Sequence, residues 1–299
     1  MNAQKERSEN FYQTMLLVTT LAWSMSFIWS KRVTNTGMSG EVYLFIRYTL
    51  ASVMLLPFAA RDLKNMDRRQ LRAGVILGLT FFGGMIFQTA GIALTTPSNN
   101  SFITTAYVVM APFTTWLMTK EKPGRSIYFA ALLCLFGIYV LNMKPGEALS
   151  LNLGNVLTLI GAVGWALQLS YTSIAGKYVK PVPLSFVTFV VTGLGGLCMS
   201  LVTGSLFETT AAQLAGSAEP ILMAAIFPTI VGNLVQVYAQ PKVNANRAAI
   251  IYSMEAVFAT IISILLGMEK WTASVTIGGG IIFLAVILAQ FGGKSKNEG

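Results

Sequence analysis

Residues 81–113, "FFGGMIFQTAGIALTTPSNNSFITTAYVVMAPF", lie over residues 226–258, "IFPTIVGNLVQVYAQPKVNANRAAIIYSMEAVF", without a gap at a constant offset of 145. Phe82 meets Phe227, Gln88 meets Asn233, Asn99 meets Asn244, Tyr107 meets Tyr252 and Phe113 meets Phe258. Outside this window Trp23 and Trp165 correspond at an offset of 142. A duplicated chain is expected, and composition names its medium. Of 299 residues 54% are hydrophobic and 11% charged, with a mean hydropathy of +0.62, whereas soluble domains are roughly a quarter charged. The chain is expected to be all-α and integral to a membrane.

Apolar runs of roughly 17–25 residues mark crossings, and ten are expected, at 12–31, 42–60, 73–94, 102–119, 126–142, 153–174, 184–204, 220–239, 248–266 and 272–290. The polar "MNAQKERSEN" ahead of the first run does not have the form of a cleavable leader. With the N-terminus inside, 16 of the 21 basic residues fall on the cytoplasmic side and Lys31, Arg32, Lys144 and Lys270 outside. Cytoplasmic loops favour Lys and Arg, so both termini are expected in the cytoplasm. The units are then a tail at 1–11, five spans over 12–145, five over 146–291, and a tail at 292–299. An odd number of spans per unit inverts the second against the first. Inverted repeats mark alternating-access transporters, whose solute site lies near the midplane between the halves.

The basic residues punctuate the loops instead of gathering on one face, which argues against a nucleic-acid partner. Cys134 and Cys198 sit in apolar runs and read as packing residues. The glycines at 83–84 and 278–280 lie inside spans, where close helix packing explains them better than phosphate binding. The chain contains no histidine, so no metal site, cofactor or clustered catalytic machinery is expected, which separates this chain from a membrane enzyme.

Helical spacing selects the faces. Asn233, Gln236 and Gln240 share one stripe, as do Thr19, Trp23, Ser26 and Ser30, and Gly161, Trp165, Gln168 and Thr172. Polar side chains at this depth must face protein or a wet cavity. Two roles fit: interhelical ties, or the lining of a solute cavity by Trp23, Ser26, Gln88, Tyr107, Trp165, Gln168, Asn233, Gln236 and Tyr252. Glu255 is the carboxylate well inside a span, and its repeat partner is Met110. An ion there is costly, so it serves either a structural hydrogen bond or the function, as a proton carrier or a partner for a cationic solute. Lys31 and Arg47 lie toward the outer side, where they either snorkel to headgroups or pair structurally, or act in gating or anion contact.

Three stretches resemble a known family. "WSMSFIWSK" at 23–31, "SNNSFITTAYVVMAPF" at 98–113 and "NRAAIIYSMEAVFATIISILLGMEKWT" at 246–272 are similar to the first-, fourth- and ninth-span patterns of the drug/metabolite transporter superfamily, in its ten-span EamA type. Ser24 stands where Gly is usual, and Ala256 where Pro is usual, which removes an expected helix distortion. The resemblance implies spans 1–4 and 6–9 around a central cavity, with spans 5 and 10 peripheral. It also implies movement of small metabolites such as amino acids or amines, export as the weightier direction, and a multi-pass place in the bacterial cytoplasmic membrane. Partners are then the solute and the lipid bilayer, the chain being a monomer or homodimer. The alternative is a proton-independent facilitator or channel-like pathway.

Overall fold

The computed structural model describes residues 2–141, 153–268 and 270–291. The boundary expected at 145/146, Lys144, and the tail 292–299 with Lys294 and Lys296 lie outside the described residues. Every element among the described residues is helical. In chain order they are α1 (Asn2–Thr34), α2 (Gly40–Leu63), α3 (Arg68–Ala93), α4 (Pro97–Thr104), α5 (Tyr107–Thr119), α6 (Arg125–Leu141), α7 (Leu153–Ala175), α8 (Pro181–Thr203) and α9 (Ser205–Glu208). Then follow α10 (Ala211–Ala224), a π-helical segment (Ala225–Gly232), α11 (Asn233–Ala239), a short 3-10 turn (Gln240–Lys242), α12 (Ala245–Tyr252), α13 (Met254–Leu265) and α14 (Ala273–Phe291).

Eight helical stretches are long and apolar enough to cross a membrane, and Arg125–Val140 and Ala273–Ala285 are shorter apolar helices. Several helices start earlier than the apolar runs suggest, because hydrogen bonding carries a helix to its nearest polar cap. Asp67 caps α3 through Gln70 N at 2.7 Å, Thr96 caps α4 ahead of Pro97, and Thr210 caps α10 through Gln213 N at 3.3 Å. These are capping arrangements that satisfy first-turn donors.

Two of the long stretches are broken. Thr105 and Ala106 separate α4 from α5, and Ser253 separates α12 from α13. Irregular backbone at such depth needs local donors. Thr105 supplies one through its hydroxyl to Ser101 O at 2.7 Å, and Ser253 bonds back to Ile250 O. The stretch Ala245–Leu265 is therefore distorted at Ser253 even with Ala at 256: the serine hydroxyl is turned onto the preceding turn.

The helices close on small residues, as lipid-immersed helices must. A Cβ on Gly164 of α7 would stand 2.5 Å from Gly84 N of α3, so these backbones touch. A Cβ on Gly137 of α6 would meet Gly278 O of α14 at 3.0 Å, whereas Gly83 and Gly280 face open space. α2 packs on α8, α3 on α7 and α8, and α1 on α13, so helices from the first part of the chain interleave with helices from the second. The result leaves a space at their centre.

Candidate functional site

That space is a cavity between the helices, partly open to its surroundings. Its wall takes residues from α1, α2, α3, α4, α5, α7, the π segment, α11, α12 and α13, and none from α6, α8 or α14. Both helix breaks deliver side chains to it: Tyr107 opens α5, Tyr252 closes α12 and Glu255 follows in the first turn of α13.

Two indoles frame the wall. Trp23 donates from Nε1 to Pro228 O at 3.2 Å and packs on Tyr252 with ring centroids 4.9 Å apart. It fits because residue 232 is glycine; a Cβ there would lie 2.7 Å from Trp23 Nε1. Trp165 donates to Gln88 Oε1 at 3.1 Å, meets Phe81 edge-on at 5.0 Å, and lies over Gly84, where a Cβ would approach its ring to 3.0 Å. Each tryptophan thus sits on a glycine from the other part of the chain.

A run of amides closes one side. Gln168 Nε2 donates to Gln236 Oε1 at 3.2 Å, Gln236 Nε2 to Gln240 Oε1 at 2.9 Å, and Gln240 Nε2 to Leu169 O at 2.6 Å and Ser173 Oγ at 2.8 Å. Tyr252 OH completes it on Gln240 Oε1 at 3.2 Å. Gln168 and Gln236 line the cavity and also tie α7 to α11. Asn233 stands apart, fully buried, off the cavity wall, with neither amide atom hydrogen-bonded.

Arg47 does not snorkel. It is 2% exposed and lies on the cavity wall, with Nε donating to Thr229 Oγ1 at 2.8 Å and a guanidinium N–H to Tyr43 OH at 2.9 Å. The charge also lies 5.2 Å from the Tyr48 ring centroid, a favourable cation–π distance. Its anchor comes from the π segment. Pro228 has no N–H to return to Ala224 O, and that carbonyl takes the Thr229 hydroxyl at 2.8 Å. With its proton so committed, Thr229 Oγ1 is left to accept from Arg47.

Glu255 is 7% exposed on the same wall. Its main-chain carbonyl accepts from Ser24 Oγ at 3.0 Å, a tie to α1 that leaves the carboxylate uncommitted. The ion pairs among the described residues join Arg32 to Glu219, Lys180 to Asp62 and Arg247 to Glu9; neither Arg47 nor Glu255 takes part in one. Lys31 is off the wall, with Nζ donating to Ile92 O and Ala93 O at 3.1 and 3.3 Å. There it complements the carbonyl end of α3.

The structure therefore gathers Trp23, Ser26, Arg47, Gln88, Tyr107, Trp165, Gln168, Gln236, Tyr252 and Glu255 on one wall, and places Lys31 and Asn233 off it. Sequence patterns missed Phe81 and Met85, which read as ordinary core, and Thr229, a lone hydroxyl whose partner is 182 residues away.

The sequence profile of the EamA-like transporter family matches twice, over 10–143 and 152–291. An uncharacterized transporter of Archaeoglobus fulgidus is 29% identical over 275 residues, covering 92% of this chain and 84% of its own. The uncharacterized transporter YyaM of Bacillus subtilis is 26% identical over 252 residues, 80% of each chain. A protein of known crystal structure shares the fold, with a TM-score of 0.73 at 15% identity over 94% of this chain and 97% of that one. With its many apolar helices and both halves matched, this chain is a multi-pass membrane protein of the EamA-like transporter family.

Proposed function

We propose that this protein is a secondary transporter of small zwitterionic metabolites, amino acids foremost, working by alternating access and exporting its solute across the cytoplasmic membrane. One observation carries this reading: Arg47 and Glu255, of opposite charge, line one cavity and neither has an ionic partner among the described residues. A buried unpaired charge is costly, and a solute bearing both a carboxylate and an ammonium would complete both at once. Lined also by Trp23, Trp165, Tyr107 and Tyr252, the cavity suits such a solute better than an ion alone.

Glu255 links the solute to a proton. When the ammonium leaves, the bare carboxylate takes a proton for the return step and gives it up on the other side, so one proton enters for each solute expelled. Transmembrane carboxylates are the usual carriers in such exchanges.

Ten crossings in two inverted units fit this cycle. They are supported by the eight long stretches and two shorter apolar helices, by the twofold profile match, and by the reciprocal seating of Trp23 on Gly232 and Trp165 on Gly84. Arg68, Arg69 and Arg72 at the start of α3, Lys120 and Lys122 between α5 and α6, and Arg125 at the start of α6 favour an N-terminus inside.

Counterflow into proteoliposomes tests the solute class. Labelled 2-aminobutyrate should exchange against itself, while propylamine and butyrate, each with one of the two charges, should fail to drive exchange, and Arg47→Gln should abolish it. Equal exchange by either single-charge analogue would remove the zwitterion reading.

A further inference from the structure

A second, smaller cavity, with room for about one water-sized group, adjoins the first: Ser26, Phe27, Met85 and Gln88 stand in both walls. Its remaining wall is Ser30, Thr89, Ile92 and Asn100, so it is rich in hydroxyl and amide groups.

Asn100 is fully buried, and its amide nitrogen is committed twice, to Gln88 O at 3.2 Å and to Thr158 Oγ1 at 2.7 Å. A main-chain carbonyl can only accept, and the Thr158 hydroxyl already donates to Gly154 O at 2.7 Å. Both contacts therefore demand the NH₂ group, which fixes the orientation of the amide. Asn100 Oδ1 is left buried with no donor among the described residues. Orphaned buried acceptors are uncommon and call for a partner from outside the chain.

The nearby cation narrows the class of partner. Lys31 Nζ lies 3.1 Å from the carbonyl oxygen of Ile92, itself a wall residue. Positive charge at this edge opposes a second cation, so a neutral donor fits where an ammonium or guanidinium does not.

We infer that the second cavity is the subsite for the polar tip of the solute's side chain, and that it takes a neutral hydrogen-bond donor, a hydroxyl or an amide N–H. This rests on the zwitterion reading: Arg47 and Glu255 hold the charged groups while the side chain extends between α1, α3 and α4. Sites built to hydrogen-bond a solute group reject analogues that lack it far more strongly than apolar pockets reject a size change.

The test is competition against counterflow of labelled 2-aminobutyrate by isosteric pairs in which a hydroxyl replaces a methyl: serine with 2-aminobutyrate, and 5-hydroxynorvaline with norleucine. In at least one pair the hydroxylated member should half-inhibit at a concentration at least about tenfold lower, and in Asn100→Leu that ratio should fall to near one. Should the variant not reach the membrane, the wild-type ratios decide. Equal potency within both wild-type pairs, as a pocket filled only by water would give, overturns the subsite and leaves zwitterion transport standing. A preference that persists in folded Asn100→Leu also overturns it. Absence of any exchange overturns the transport reading and the subsite with it.

Discussion

Thr229 shows how much a single hydroxyl carries in this protein. It donates to Ala224 O and accepts from Arg47 Nε, each at 2.8 Å, so it converts a proline-disturbed helix into a mount for the buried guanidinium. Hydrogen bonds to charged groups contribute about 1.5–3 kcal/mol. Thr229→Val, which keeps the shape and removes the bond, should raise the half-saturating solute concentration roughly 10- to 100-fold, whereas Thr229→Ser should restore it; unchanged saturation in the valine variant would show that Arg47 is held by Tyr43 alone. Glu255, Trp23 and Trp165 were legible in the sequence because a carboxylate or an indole at membrane depth is conspicuous. Thr229 and Asn100 were not, since an isolated Thr or Asn in a span reads equally as an interhelical tie, and what distinguishes these two is a partner far away in the chain or the absence of one.

At the level of elements, the site depends on helices that fail to be regular. The breaks at Thr105–Ala106 and at Ser253 bring Tyr107, Tyr252 and Glu255 to the cavity, and the π segment at Ala225–Gly232 brings Thr229 to Arg47. Pro228→Ala restores an N–H where a helix interior lacks one. It should leave thermal stability in detergent equal or higher while lowering transport about tenfold, on the scale of one lost hydrogen bond to a charged group. A variant that transports normally would show that the π turn is incidental to the mount. Close packing imposes the opposite constraint on α3 and α7. Gly164→Ala would press a methyl to 2.5 Å from Gly84 N, and overpacking of this kind costs about 1–3 kcal/mol. A clear drop in the unfolding temperature is expected, and an unchanged one would contradict the contact. Apolar runs located these helices well, but their starts lay further upstream, at Asp67, Thr96 and Thr210, because hydropathy marks the lipid slab while caps mark the helix. The distortion at Ser253 escaped notice since the sequence directs attention to the missing proline at Ala256, not to a serine bonding its own preceding turn.

Over the whole molecule, the interleaving of α1–α5 with α7–α13 makes one cavity the meeting point of both parts of the chain. The 145-residue offset pointed to a duplicated plan, and the family profile matches the chain twice, yet the alignment pairs Met110 with Glu255, and no periodicity shows that Arg47 stands on the same wall as that carboxylate. Only packing across the halves puts the two charges on one cavity wall. Their shared cavity underlies the central claim, that solute and proton take turns at Glu255. It is tested most directly by efflux of labelled serine from loaded proteoliposomes, with the membrane potential clamped and an acid-outside gradient imposed. For one-to-one exchange, each unit of pH should drive the solute ratio by about tenfold. Glu255→Gln should show no dependence on the gradient. A wild type indifferent to the gradient, matched by Glu255→Gln, would contradict the account and make this chain a facilitator whose buried carboxylate is structural.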